Sequence, residues 1–327
     1  MFANHLQQNL SEETVEKIPN RNGYGDGLLE AGKRDERVVA LCCDLTESTR
    51  TNLFAEEFPN RFIQVGIAEQ NMASVGSGMA SMGKIPFIAS YAMFSPGRNW
   101  EQVRTTIAYN NSNVKIVGAH AGISVGPDGA THQAIEDIAI MRVIPNMVVI
   151  APSDIHEARK VTLAASKYDG PVYFRVGRSA VPVVTTPESP FEIGKAYRMY
   201  SRNESHERKV GIVVTGSLLF NALMVADKLN KENVGVSVLH MPTIKPLDTE
   251  ALESFAVEHG VLVTMEEHSI IGGLGGAVAE HLSETVPTKI VRMGIKDVFG
   301  ESGEPDELIS HFGLDVKSLI SAIKMLV

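Results

Sequence analysis

Cysteine is almost missing from this chain of 327 residues, which has only Cys42 and Cys43. Adjacent cysteines are too close for an ordinary disulfide and lack the two-residue spacer of a metal site, so a disulfide scaffold and a thiolate metal centre are both excluded. Inside "VVALCC" the pair reads as buried strand. No basic block is present either. Thirty Lys and Arg against 39 Asp and Glu give a net charge of −9, which argues against nucleic acid or an anionic membrane as partner and leaves any anionic ligand to a local site. No apolar run is long enough to span a bilayer. The opening "MFANHLQQNLSEETVEK" has neither the basic nor the apolar region of a signal peptide, so a cytoplasmic address is expected. Short internal repeats and low-complexity tracts are absent as well.

What is present is an alternation of short β-branched runs with longer amphipathic segments. The runs are "VVALCC", "FIQV", "IPFIAS", "VKIVGAH", "MVVIA", "PVYFRV", "VGIVVTG", "VGVSVLH", "GVLVTM" and "KIVRM". This is the pattern of parallel sheets covered by helices, and the length exceeds what one small core usually organises. The stretch "VPVVTTPESP", residues 181–190, has the prolines and threonines of a linker. The expected fold is therefore α/β with two consecutive domains, each a mostly parallel sheet covered by helices. Residues 1–14 form an arm, 15–185 the first domain and 186–327 the second.

"GIAEQNM" places Glu69 just behind an apolar run and ahead of the helical stretch Ala73 to Gly83, which is rich in Gly, Ala and Ser. Glycine weakens a free helix, so close approach to a neighbouring backbone is expected, either at a subunit interface or inside one domain.

The segment from about Arg21 to Arg178 resembles the pyrimidine-binding domain of transketolases through "ALCCDLTEST", "RFIQVGIAEQNM", "GAHAGISVGPDGATHQAIEDIA" and "APSD". Downstream, "LHMPTIKPLD", "EEHSIIGGLGGAVAE" and "GEPDELISHFGLD" are similar to the transketolase C-terminal domain. The domain that precedes these two in full-length transketolases, with its metal ligands, is not present, so the chain looks like the second half of a split transketolase. Gly25, Asp26 and Gly27 with Asn52 imitate the GDG…N signature that holds the metal in that domain. However, Asp26 opens the helical run "GLLEAGKR" instead of ending an apolar strand, and an acid there serves the helix N-terminus. No metal ligand is assigned to this chain.

The resemblance implies thiamine diphosphate as cofactor, with Mg2+ (or Ca2+) ligated by a partner subunit. It gives Glu69 the contact to the pyrimidine ring that helps draw a proton from the thiazolium. Burial is expected to keep a proton available to that carboxyl; the plain alternative is an acid satisfying helix-start amides. Tyr91 and Phe94 match aromatics that wall the pyrimidine, and Gly97 stands where many relatives have a third, leaving that wall open or rebuilt. Asp44 matches a residue on the thiazolium side; by itself it reads as a turn acid. Arg21, Ser48, His120 and Arg178 match the sugar-phosphate cradle, with Arg175 a competitor for the last position. Alone, each has a plainer reading: surface arginine, capping serine, satisfied histidine, edge ion pair. Asp128 and His132, in the glycine-flanked "GPDGATHQ", match groups that hydrogen-bond substrate hydroxyls, and His132 is also given a catalytic part. His268 receives none.

The function so implied is transfer of a two-carbon ketol unit from a ketose phosphate to an aldose phosphate. The active unit would be a homodimer of this chain with two N-terminal subunits, α2β2, which also supply family histidines. Three alternatives are weighed: a 2-oxoacid dehydrogenase β chain, a relative acting on an unusual sugar phosphate, and a non-catalytic relative that kept only the fold. The phosphate cradle argues against the first.

Overall fold

The computed structural model describes residues 1–8 and 10–326. Its strands are β1 (Lys17–Pro19), β2 (Val38–Cys42), β3 (Phe62–Gln64), β4 (Ile85–Tyr91), β5 (Lys115–Ala119), β6 (Val148–Ile150), β7 (Val172–Arg175), β8 (Ala180–Pro182), β9 (Tyr197–Tyr200), β10 (Lys209–Val214), β11 (Gly235–His240), β12 (Thr243–Lys245), β13 (Val261–Ser269) and β14 (Lys289–Ile295). The ten β-branched runs all become strands, and those buried on both faces, such as β2 and β5, are the continuous apolar runs that a parallel sheet requires.

There are two domains, each with a mostly parallel sheet flanked by helices. The first sheet runs β12-β6-β7-β5-β4-β2-β3 and the second β14-β13-β10-β11-β9. In the first, the pairs from β6 to β3 are parallel. The exception is β12, a strand from the second domain's stretch of chain that pairs antiparallel with β6 at the edge. Lys245, at its end, donates from Nζ to the carbonyls of Arg142 and Ile144 at 2.8 and 2.6 Å. The two domains thus share hydrogen-bonded structure.

Residues 181–190, expected to form a linker, are held along most of their length, with Lys160 Nζ donating to the carbonyls of Thr186 and Ser189 at 2.6 and 2.7 Å. β8 pairs antiparallel with β1, and the amides of Val184 and Thr185 donate to Asp154 Oδ2 at 2.8 and 2.6 Å. The same carboxylate caps the helix Ile155–Lys167 by accepting from the Glu157 amide, one side chain serving helix start and chain crossing together. Residues of the N-terminal arm lie on the second domain, with Phe2 bridging Tyr200 and Leu6 buried in the core around β10 and β11.

The helix Arg21–Arg34 presses against Ile155–Lys167. A Cβ at Gly23 would lie 2.0 Å from the Ile155 carbonyl oxygen and one at Gly27 2.8 Å from Thr162 Cβ. At least one glycine of the imitation GDG motif is thus a packing glycine. Asp26 is exposed in the second turn, since the helix begins at Arg21 and not at Asp26 as the sequence suggested. Helix Glu69–Ser81 lays Gly76 against Ile88, but a Cβ at Gly78 would meet nothing, and Ile67 and Met82 beside that face are 75% and 82% exposed. No described helix is long and apolar enough to cross a membrane.

Between the domains, His268 donates from Nδ1 to the Ser269 carbonyl at 2.7 Å and accepts at Nε2 from the Ala139 amide at 3.4 Å. That pairing requires a neutral ring, and burial pushes the His268 pKa down to about 4. The unfolded chain takes up this proton near pH 6.5, whereas the folded chain refuses it until about pH 4, so His268 makes stability fall as pH falls through that window. Glu266, pushed up to about 7 by burial, acts in the opposite sense, its cost growing as pH rises from 4.5 to 7. His268→Gln should lower Tm less than wild type does between pH 6.5 and 4 in a thermal melt series; equal falls would exonerate this histidine.

Candidate active site

All parallel strands of the first sheet end at one edge, and open α/β sheets take ligands beyond the carboxyl ends of their strands. Five neighbouring strands deliver candidate residues there. Asp44 and Ser48 follow β2, Glu69 follows β3, Tyr91 ends β4 with Phe94 just beyond, His120 follows β5 and Arg178 follows β7. Arg21 arrives separately as the first residue of its helix.

Several of these side chains touch. The ring of Tyr91 stacks on His120 at 3.8 Å between centroids and lies nearly parallel to Phe94 at 6.0 Å, while His132 meets Phe94 edge-on at 5.5 Å. Arg21 Nη1 donates to the Ser48 carbonyl at 2.7 Å and reaches His120 Nε2 at 3.3 Å. An arginine can only donate, so Nε2 must accept and the proton of the neutral ring sits on Nδ1. That atom is buried and has no partner among the described residues. Burial, reinforced by the charges of Arg21 and Arg178, pushes the His120 pKa down to about 3, so the ring stays neutral through any working pH. Burial and the charges of Arg50 and Arg178 also hold the Arg21 guanidinium below its usual range.

Arg178 Nη1 donates to the Val125 carbonyl at 2.8 Å, and its guanidinium stands 3.8 Å from Asp128. His132 Nδ1 lies 2.9 Å from Thr131 Oγ1. Arg175, the competitor, faces elsewhere. It is buried, with Nε 3.1 Å from Asp137 Oδ2, and it donates to the carbonyls of Glu267 and Ala134. Asp44 stands apart. It is exposed at φ +60°, its amide donates to Gln64 Oε1, and its carboxylate has no partner among the described residues.

Glu69 is 1% exposed and begins its helix. Oε1 accepts from Ser90 Oγ at 3.2 Å, and the backbone carbonyl accepts from Asn99 Nδ2 at 3.1 Å. Its second oxygen is also taken, because Arg98 Nη1 donates to Oε2 at 2.7 Å. Arg98 also lies over the Phe94 ring at 4.9 Å, and sequence reading did not find it. The available signal was its neighbour. A Cβ at Gly97 would sit 2.0 Å from the Met93 carbonyl oxygen, so no side chain fits where a third aromatic was sought, and the guanidinium next to it covers the ring instead.

The edge thus offers a flat aromatic wall beside a buried carboxylate, then a cationic corner with an unpartnered imidazole N–H. A planar heterocycle that can hydrogen-bond a carboxylate fits the first part and an anion the second. Among the described residues no group of three His, Cys, Asp or Glu is placed to hold a metal ion.

This is a two-domain α/β protein with a strand-end ligand edge. Residues 16–184 match the family model "Transketolase, pyrimidine binding domain" and residues 200–319 "Transketolase, C-terminal domain". A Methanocaldococcus jannaschii protein named as a transketolase C-terminal section is 46% identical over 93% of this chain and 94% of its own length. A 6-deoxy-6-sulfo-D-fructose transketolase subunit of a Clostridium species is 40% identical over 92% of both chains. Among solved structures, a split gene transketolase described as an inactive beta4 tetramer superposes with a TM-score of 0.86 at 43% identity, covering 94% of this chain and 98% of that one. The chain belongs to the transketolase family and corresponds to its C-terminal section, and membership in that family implies use of thiamine diphosphate.

Proposed function

We propose that the chain is the C-terminal subunit of a two-component transketolase that moves a two-carbon ketol unit from a ketose phosphate to an aldose phosphate. Thiamine diphosphate supplies the nucleophilic carbon for that transfer. Tyr91 and Phe94 would hold the pyrimidine by stacking, Glu69 would bind its ring nitrogen and hold the proton there, and Asp44, though it stands apart from the cluster, would serve the thiazolium side. Arg21, Ser48, His120 and Arg178 grip the sugar phosphate. Asp128 and His132 hold the hydroxyls near the bond that breaks, with His132 placed to exchange a proton there. Arg98 occupies Oε2 of Glu69, so a ring donor would share Oε1 with the Ser90 hydroxyl.

The observation that carries this reading is the meeting of Arg21, His120, Tyr91, Phe94 and His132 at one sheet edge from separate segments. Among the described residues no group of three His, Cys, Asp or Glu stands ready for a metal ion. The Mg2+ or Ca2+ and the diphosphate grip come from an N-terminal transketolase subunit, in an α2β2 assembly built on a homodimer of this chain. The exposed small-residue face of helix Glu69–Ser81, flanked by Ile67 and Met82, suits such pairing. A relative made of beta subunits alone is described as inactive, which agrees with dependence on the partner. The chain is further proposed to act in the cytoplasm.

A specialised sugar is the second reading, because a relative is named for 6-deoxy-6-sulfo-D-fructose. The test is reconstitution. This chain mixed with the N-terminal subunit, thiamine diphosphate and Mg2+ should transfer ketol units from xylulose 5-phosphate, and omission of either subunit should abolish turnover. Absence of turnover with every component present would reject the proposal.

A further inference from the structure

Arg50 is a charged residue that neither the motifs nor the proposed substrate contacts account for. It lies two positions past Ser48 and holds a left-handed φ of +66°. A Cβ at Gly25, one helical turn beyond Arg21 on the same face, would sit 2.8 Å from Arg50 Cβ. Arg21 itself donates to the Ser48 carbonyl. The two arginines are therefore neighbours, held by one loop and one helix turn. Among the described residues neither forms an ion pair, and the Nε of both is buried without a partner. Arg178 adds a third guanidinium and His120 an unpartnered Nδ1–H.

Like charges packed together with unused donors cost free energy until an anion joins them. Resting on the function proposed above, we propose that Arg50 is a further anion-binding residue of the sugar-phosphate site and makes that site selective for a dianionic phosphomonoester over a monoanionic sulfonate. Three guanidinium groups, one of them shared with Asp128 at 3.8 Å, suit two negative charges better than one. The left-handed backbone at Arg50 returns the chain sharply after Ser48 and keeps the residue against the Arg21 helix.

The test uses the complex reconstituted with the N-terminal subunit. Wild type should show a higher kcat/KM for fructose 6-phosphate than for 6-deoxy-6-sulfofructose. Arg50→Gln should lower that ratio by about tenfold or more, through KM for the phosphate, in keeping with the loss of a charge-assisted hydrogen bond. Arg50→Lys should recover part of it. An unchanged ratio in Arg50→Gln, or a wild type that prefers the sulfonate, would overturn the proposal. Inorganic phosphate titrated calorimetrically onto the same complex gives a readout independent of turnover: Arg50→Gln should bind it about tenfold more weakly, and equal affinity overturns the proposal. A wild type that binds phosphate in the Arg50-dependent way but transfers no ketol unit would sink the transketolase function and leave the anion site standing.

Discussion

Glu69→Gln should reduce ketol transfer by the reconstituted enzyme by about a thousandfold, within the range that a positioned proton-transfer group contributes. The amide keeps nearly the same shape and can still accept from Ser90, which lies 3.2 Å from Oε1. What it loses is the charge opposite Arg98 and the capacity to share a proton with a ring nitrogen. The fold should tolerate the change, because the Arg98 side chain is 46% exposed and can turn to water once its partner is gone. Turnover should therefore collapse while Tm stays within a few degrees and KM for the sugar phosphate moves little. A variant that keeps a tenth or more of wild-type kcat would remove Glu69 from the mechanism.

Arg175→Met and Arg178→Met, three positions apart, should fail in opposite ways. Arg175 is buried and neutralises Asp137, a carboxylate 1% exposed that also accepts from the Tyr173 hydroxyl at 2.5 Å. Removing the guanidinium strands that carboxylate in the core and leaves the Glu267 and Ala134 carbonyls without their donor. Breaking one side of a buried pair costs about 3–5 kcal/mol, so Arg175→Met should unfold at markedly lower denaturant. Arg178 is 39% exposed and its nearest carboxylate is 3.8 Å away. Its replacement should leave the denaturation midpoint nearly unchanged and raise KM for phosphorylated sugars. Equal stability losses in the two variants would contradict this division of labour.

The sequence made this division visible in part. Arg175 sits inside "PVYFRV", a strand buried on both faces, where a charge must have a partner; Arg178 follows the strand end, where ligands bind. Ten of the strands were readable because parallel sheets demand unbroken β-branched runs. β1, β8, β9 and β12 were not, since "KIP", "AVP", "YRMY" and "TIK" hold no run of apolar β-branched residues. Nothing local announces that β12 leaves its neighbours to extend the other domain's sheet. Tyr91, Phe94, His120, His132 and Arg21 were nominated by motif and converge in space. Arg98 and Arg50 escaped because a charged loop residue has no pattern, and only the fold reveals that one lies on Glu69 and the other beside Arg21. Asp44 was nominated on the same grounds, yet its carboxylate meets no partner among the described residues.

In the function proposed here the active site is divided between two polypeptides, and cofactor binding measures that division directly. Thiamine diphosphate with Mg2+ should be titrated onto this chain alone, onto the N-terminal subunit alone and onto their mixture, following intrinsic fluorescence. Tight saturable binding should require the mixture, with Glu69→Gln weakening it. Equally tight, metal-dependent binding by this chain without its partner would contradict the account.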